Sequence, residues 1–144
     1  MKVGDVCVRE VLCAQPESTV AAIAAMMKQH NVGSMPVCDQ NGRLIGIVTD
    51  RDIVTGCIAT GLDPAMCQVT QVMTSNPMTT QPDTDVEEAA RLMGEQQIRR
   101  LPVMENGALV CMLSLGDIST ALPGNPGLVG ETLRKISSPS KMAA

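Results

Sequence analysis

The chain repeats itself, and that repeat limits what it can fold into more than any other feature. Shifted by 66 residues, QPESTVAAIAAMMKQHNVGSMPV lies over QPDTDVEEAARLMGEQQIRRLPV without a gap, so that Pro16, Val20, Met27 and Pro36 meet Pro82, Val86, Met93 and Pro102. After a one-residue deletion in the following turn, GRLIGIVTDRDI lies over GALVCMLSLGDI, and Asp52 meets Asp117 at a shift of 65. Similarity at one fixed spacing marks duplication of a supersecondary unit, each copy covering an apolar face the other leaves exposed. The 144 residues therefore hold two copies in one domain, a length at which folding removes roughly two-thirds of the chain's surface from water.

Each copy reads as β-α-β-β-α. In copy one, VREVLCAQP is a short strand broken by Pro16. Ser18 or Thr19 then caps a helix whose Val20, Ile23, Ala24 and Met27 recur at helical spacing, and which ends near Asn31 and Gly33. SMPVCD and RLIGIVT are strands joined by a QNG turn, and Asp50-Arg51-Asp52 opens a second helix that stops at Gly61. Copy two repeats the order, with ENG as its turn and Asp117 in its last helix. The expected fold is α/β, with repeat one over residues 1–60, a linker over 61–70, repeat two over 71–122, and a peripheral tail over 123–144 around a short helical VGETLRKI.

Composition removes several function classes. Phe, Tyr and Trp are absent, so the aliphatic residues and 11 Met must fill the core, and no aromatic ring is available to stack a single-stranded base. A net charge of -4 offers no basic field to a phosphate backbone, so nucleic acid is not an expected partner. MKVGDVCVREVL lacks an uncharged apolar core, and no stretch approaches the ~18 apolar residues of a membrane span, so the expected location is cytoplasmic. The six Cys form no CxxC pair, and a reducing compartment favours plain burial of thiols. One His, no GxSxG and no P-loop leave an enzyme without its usual groups, so none is expected.

The order of elements, with PESTV and PDTDV before the first helices, MPV and LPV on the second strands, and apolar strands running into TDRD and SLGD, resembles the tandem CBS domain, or Bateman module, over residues 1 to about 122. TDRDIV followed by GLDP, with the Pro-rich tail, is similar to small stand-alone CBS pairs of the hypoxic response protein type. The resemblance implies pseudo-twofold symmetry, two clefts between the copies that bind adenosine nucleotides such as AMP, ADP or ATP, and a homodimer. No cofactor is expected to be required, no metal is expected because no ligand pair shows the usual short spacing, and with no output segment recognisable on the chain, any signal passes to a separate, unknown protein. Carried over, the ligand residues are Thr49 with Asp52, Ser114 with Asp117, and Arg99 with Arg100; the expectation is one good site of Arg99, Arg100, Ser114 and Asp117, with Met112 and, from the first copy, Ser18, Val32 and Gly33, and one weaker or empty site served by Arg51 beside Asp52.

The chemistry of these residues is consistent with that assignment and with a plainer one. A carboxylate accepts two hydrogen bonds from a ribose diol and repels phosphate, whereas planar guanidinium forks suit phosphate oxygens. Yet T-x-x-D and S-x-x-D are equally the capping-box pattern that closes a helix N-terminus. Repeat one has Gly33 and Ser34 where repeat two has Arg99 and Arg100, and repeat two has Cys111 and Gly116 in place of Gly46 and Arg51, so the clefts should differ. Cys111 is also larger than Gly46 where the backbone would need to approach a ligand. Cys13 and Cys38 fall near the ends of neighbouring strands, where a disulfide would need Cα atoms within about 7 Å. With His30 they make only an incomplete zinc set. The alternative function is a ligand-free dimeric interaction or redox-responsive module, its assembly carried by the Ala and Met faces of the two long helices.

Overall fold

The computed structural model describes residues 1–139, and these divide into two compact units: Leu12–Pro77, and Met1–Val11 together with the chain from Met78 onward. The first eleven residues thus belong with the second repeat, where the sequence places them with the first. The reason is a reciprocal exchange of leading segments. Val8 bonds Met112 through both backbone directions, and Lys2 bridges to Asp85. Sixty-six residues on, Thr74 pairs with Ile47 and Gln68 with Thr19. The start of each copy therefore completes the unit built on the other.

In the unit Leu12–Pro77, α1 (Val20–His30) leads into β1 (Ser34–Cys38) and β2 (Leu44–Thr49), an antiparallel pair extended by the short β3 (Thr74–Ser75). Thr19 caps α1 by accepting from the Ala22 N–H, and Asn31 ends it in the left-handed region. Val20, Ile23 and Met27 face the core, where Met35, Val37 and Val48 meet them. After α2 (Asp50–Ile53) the chain widens into a π-turn, Val54–Ile58. The expected linker is exposed over most of its length but anchored at its end: Cys67 and Val69 are buried, and their backbones bond Val20 and Ser18.

The second unit repeats this plan. α3 (Val86–Gln96) precedes the hairpin β4 (Arg100–Glu105) and β5 (Ala108–Ser114), turned by Asn106 and Gly107, both at positive φ as a tight two-residue turn requires. α4 (Leu115–Ala121) follows. The first strand expected in each copy is reduced to single bridges, Ala14 to Val37 and Thr80 to Val103, because these segments also carry the exchange. The tail is not peripheral: α5 (Pro126–Ser137) packs on α3 and α4, with Thr132 buried; Ser140–Ala144 lie outside the described residues. α5 approaches α3 at Gly94, where an added Cβ would stand 3.0 Å from the Lys135 stem, and Gln97 Nε2 donates to the carbonyls of Lys135 (3.2 Å) and Ser138 (2.8 Å). In repeat one Lys28 occupies the position of Gly94, and the Ala21, Ala24 and Ala25 side of α1 is exposed.

Candidate functional site

Each strand-to-helix junction closes as a capping box. Thr49 Oγ1 accepts from the Asp52 N–H at 3.1 Å while Asp52 Oδ2 accepts from the Thr49 N–H at 2.9 Å; Ser114 and Asp117 repeat this at 3.0 and 2.9 Å. Such caps stabilise a helix end by about 0.5–2 kcal/mol. Among the described residues the caps leave each hydroxyl proton free to be donated, and the second carboxylate oxygen of Asp52 and of Asp117 free to accept.

The two junctions superpose by sequence shift down to the backbone, since Asp50 N–H bonds the Gly33 carbonyl and Leu115 N–H bonds the Arg99 carbonyl, both at 2.9 Å. Their side chains differ in sign. In the first, Asp50 Oδ2 would lie 3.1 Å from a Cβ at Gly33, so a carboxylate sits over the position that Arg99 holds in the second. Asp50, Asp52 and Arg51 sum to one negative charge there, whereas Arg99, Arg100 and Asp117 sum to one positive charge. Arg99 and Arg100 are exposed, and among the described residues the ion pairs are Lys2–Asp85 and Glu131–Arg134, so neither guanidinium has an anionic partner.

Arg99, Arg100, Ser114 and Gly116 line one cleft of about 320 Å³, at the small end of ligand sites. Gly116 keeps its mouth open, since a Cβ there would meet only Ser114 Oγ at 3.6 Å. Met112 lies two residues before Ser114 on the same strand and so on the same face. Two other clefts in this unit, of about 360 and 370 Å³, are lined by Asp83 and Glu105, and by Glu88 and Glu95 beside Arg91. Carboxylates disfavour phosphate in both.

The expected residues therefore fall into groups. Arg99, Arg100, Met112, Ser114 and Asp117 come together in one unit, and Val32, Gly33, Thr49, Arg51 and Asp52 in the other. Within its own unit Ser18 stands apart from Val32 and Gly33. It precedes α1, whose 11 residues place it about 16 Å along the helix axis from Val32 and Gly33, and its Oγ accepts from the Gln15 N–H.

The cysteines also depart from expectation. Cys13 and Cys38 are free thiols with sulfurs 3.7 Å apart, the Cys38 thiol donating to Cys13, and not a disulfide. Burial first, then Cys13, pushes the Cys38 thiol up to about 12, so it is protonated and inert at neutral pH. The disulfide joins Cys7 and Cys111, a pair that the segment exchange brings to a Cα separation of 5.9 Å. Cys111 is fully buried, so it does not stand at a ligand surface. Its counterpart Gly46 is glycine for a packing reason: a Cβ there would stand 2.5 Å from Met73 Sδ and 2.8 Å from the Thr74 carbonyl. The 66-residue shift sets Cys7 over Met73 and places Cys111 over Gly46 at 65, a signal usable only once the exchange is known. No group of three or more His, Cys, Asp or Glu able to hold a metal is found among the described residues, and no helix there is long and apolar enough to cross a membrane.

Comparison with known proteins meets this geometry. The CBS domain family model matches residues 3–57 and 69–124. CBS domain-containing protein YhcV of Bacillus subtilis is 38% identical over 135 residues, covering 94% of each chain. Hypoxic response protein 1 of Mycobacterium tuberculosis is 31% identical over 134 residues, covering 93% of this chain and 92% of its own. The crystal structure of Hypoxic Response Protein I with two coordinated zinc ions is similar at a TM-score of 0.79 and 32% identity, over 85% of this chain and 100% of that one. That of CBSX2 in complex with AMP gives 0.76 and 28%, over 87% and 98%. With the duplicated unit, the paired capping boxes and both matched segments in agreement, the chain belongs to the CBS-domain family, as a tandem pair forming a regulatory module.

Proposed function

We propose that this CBS pair senses an adenosine nucleotide at the edge formed by Arg99, Arg100, Ser114 and Asp117, and signals to a separate protein. One observation carries the reading: two guanidinium groups without anionic partners line a cleft at this junction, while the equivalent junction of the other unit holds Asp50 in that place. Phosphate meets the two arginines, the free Asp117 oxygen takes the ribose hydroxyls, and the Ser114 hydroxyl donates to a bridging oxygen. Val32, Gly33 and Thr49 with Asp52 belong to a second, weaker site, which the Asp50 carboxylate disfavours for anions. The AMP complex of CBSX2 supports the ligand class. Ligand control requires one conformation to bind better than another, since equal affinity shifts nothing. The module works as a homodimer, the exposed Ala21, Ala24 and Ala25 side of α1 supplying the contact, and analytical ultracentrifugation reads that assembly directly.

Calorimetry with AMP, ADP, ATP and S-adenosylmethionine tests the ligand. An Arg99→Ala, Asp117→Asn variant keeps an acceptor for the Ser114 N–H. It should lose at least about a hundredfold in affinity, the lower end of what two charge-assisted hydrogen bonds of about 1.5–3 kcal/mol each contribute. No heat from the folded wild-type protein with any of the four would leave a dimeric interaction module as the better account.

A further inference from the structure

The cleft has a wall that neither the repeat nor the junction motifs contain. Val129 and Leu133, four residues apart and so on one side of α5, line it together with Arg99, Arg100 and Ser114. Leu133 is 45% exposed, whereas Leu128, Val129 and Ile136 of the same helix pack, partly buried, against the core. The wall is held in place. Gln97 bonds the last turn of α5 at two carbonyls, Thr132 is buried and bonds the Leu128 carbonyl, and Gly94 admits the Lys135 stem. Repeat one has no counterpart, because Lys28 stands where Gly94 would be needed.

A cleft meant for phosphate alone gains nothing from a half-exposed leucine. Beside two guanidinium groups the pair makes a cleft with one cationic side and one apolar side, which fits an anion carrying a nonpolar body. We infer that Val129 and Leu133 of the tail helix are specificity-determining contacts for the base of the nucleotide whose phosphate meets Arg99 and Arg100, an inference that rests on the proposed site. The helix thereby makes this edge selective for a nucleoside phosphate over a bare sugar phosphate.

The test compares AMP with ribose 5-phosphate by calorimetry on wild type, Leu133→Ser and Leu133→Met. Leu133 is exposed enough that neither change threatens folding, which a thermal melt verifies. Leu133→Ser should weaken AMP about tenfold and leave ribose 5-phosphate within about twofold, while Leu133→Met keeps wild-type affinity for both. Unchanged AMP affinity in Leu133→Ser, or an equal loss for both ligands, overturns the role of the wall while leaving the site intact. A wild-type protein that binds neither ligand removes the site itself, and the wall with it.

Discussion

Breaking the Cys7–Cys111 disulfide should cost more stability than any single cap in the molecule. The bond joins residues 104 apart in sequence, and loop closure on that scale lowers the entropy of the unfolded chain by an amount worth about 4.7 kcal/mol. Should the unit Leu12–Pro77 stay folded when the other opens, its 66 residues no longer count, leaving 104 − 66 = 38. The same relation then gives about 3.9 kcal/mol. Against a total of about 5–15 kcal/mol for a domain, either figure is large. At roughly 3 °C per kcal/mol for this length, the melting temperature should fall by about 12–14 °C. A Cys7→Met, Cys111→Gly variant is the informative perturbation, because it installs the packing found at Met73 and Gly46 in place of the crosslink, the added strand glycine costing only about 0.5–1 kcal/mol. Urea unfolding of this variant, and of wild type in a phosphine reductant, should give the same reduced midpoint. Reduction of the native protein should be slow, since the fully buried Cys111 would have to leave as a thiolate. A variant whose unfolding free energy lies within about 1 kcal/mol of wild type would refute the reasoning.

Three further outcomes follow from the same geometry. Gly46→Ala should destabilise by about 1–3 kcal/mol through the Thr74 carbonyl contact, read by denaturant midpoint. Iodoacetamide at pH 8 should label exposed Cys13 and spare Cys38, whose thiolate forms only near pH 12; equal labelling by peptide mass mapping would contradict its burial. Because the folded-state value of Cys38 is raised above its unfolded one, the stability it contributes is complete below about pH 9 and is lost as pH climbs toward 12, so the urea midpoint should fall across that window in wild type and fall less in Cys38→Ala.

Much of the fold was legible because it is local. Val20, Ile23 and Met27 announce α1 by spacing, ENG announces the β4–β5 turn, and SLGD announces a cap that the structure closes. What stayed hidden is non-local. Nothing in MKVGDVCVREVL says that it completes the other copy's unit, so the Cys7–Cys111 bond and the buried stretch at Cys67–Val69 could not be read from spacing. The tail helix was visible as a pattern in VGETLRKI, but its seat depends on Gly94 and Gln97 in a distant helix. The candidate site lies between these cases. Arg99 and Arg100 meet Ser114 and Asp117 through the local pairing of one hairpin, in which Arg100 lies opposite Ser114, whereas the opposite sign of the two junctions rests on Asp50, whose place over Gly33 only the folded structure reveals.

The central claim is that a nucleotide phosphate meets Arg99 and Arg100 at the second repeat's junction. A crystal structure grown with millimolar AMP tests it most directly. The account predicts phosphate oxygens within about 3 Å of the two guanidinium groups and ribose hydroxyls on Asp117, with the Asp50–Asp52 junction empty or less occupied. AMP bound at Asp50–Asp52 in preference, or a well-ordered crystal with the arginines facing only water, would contradict it.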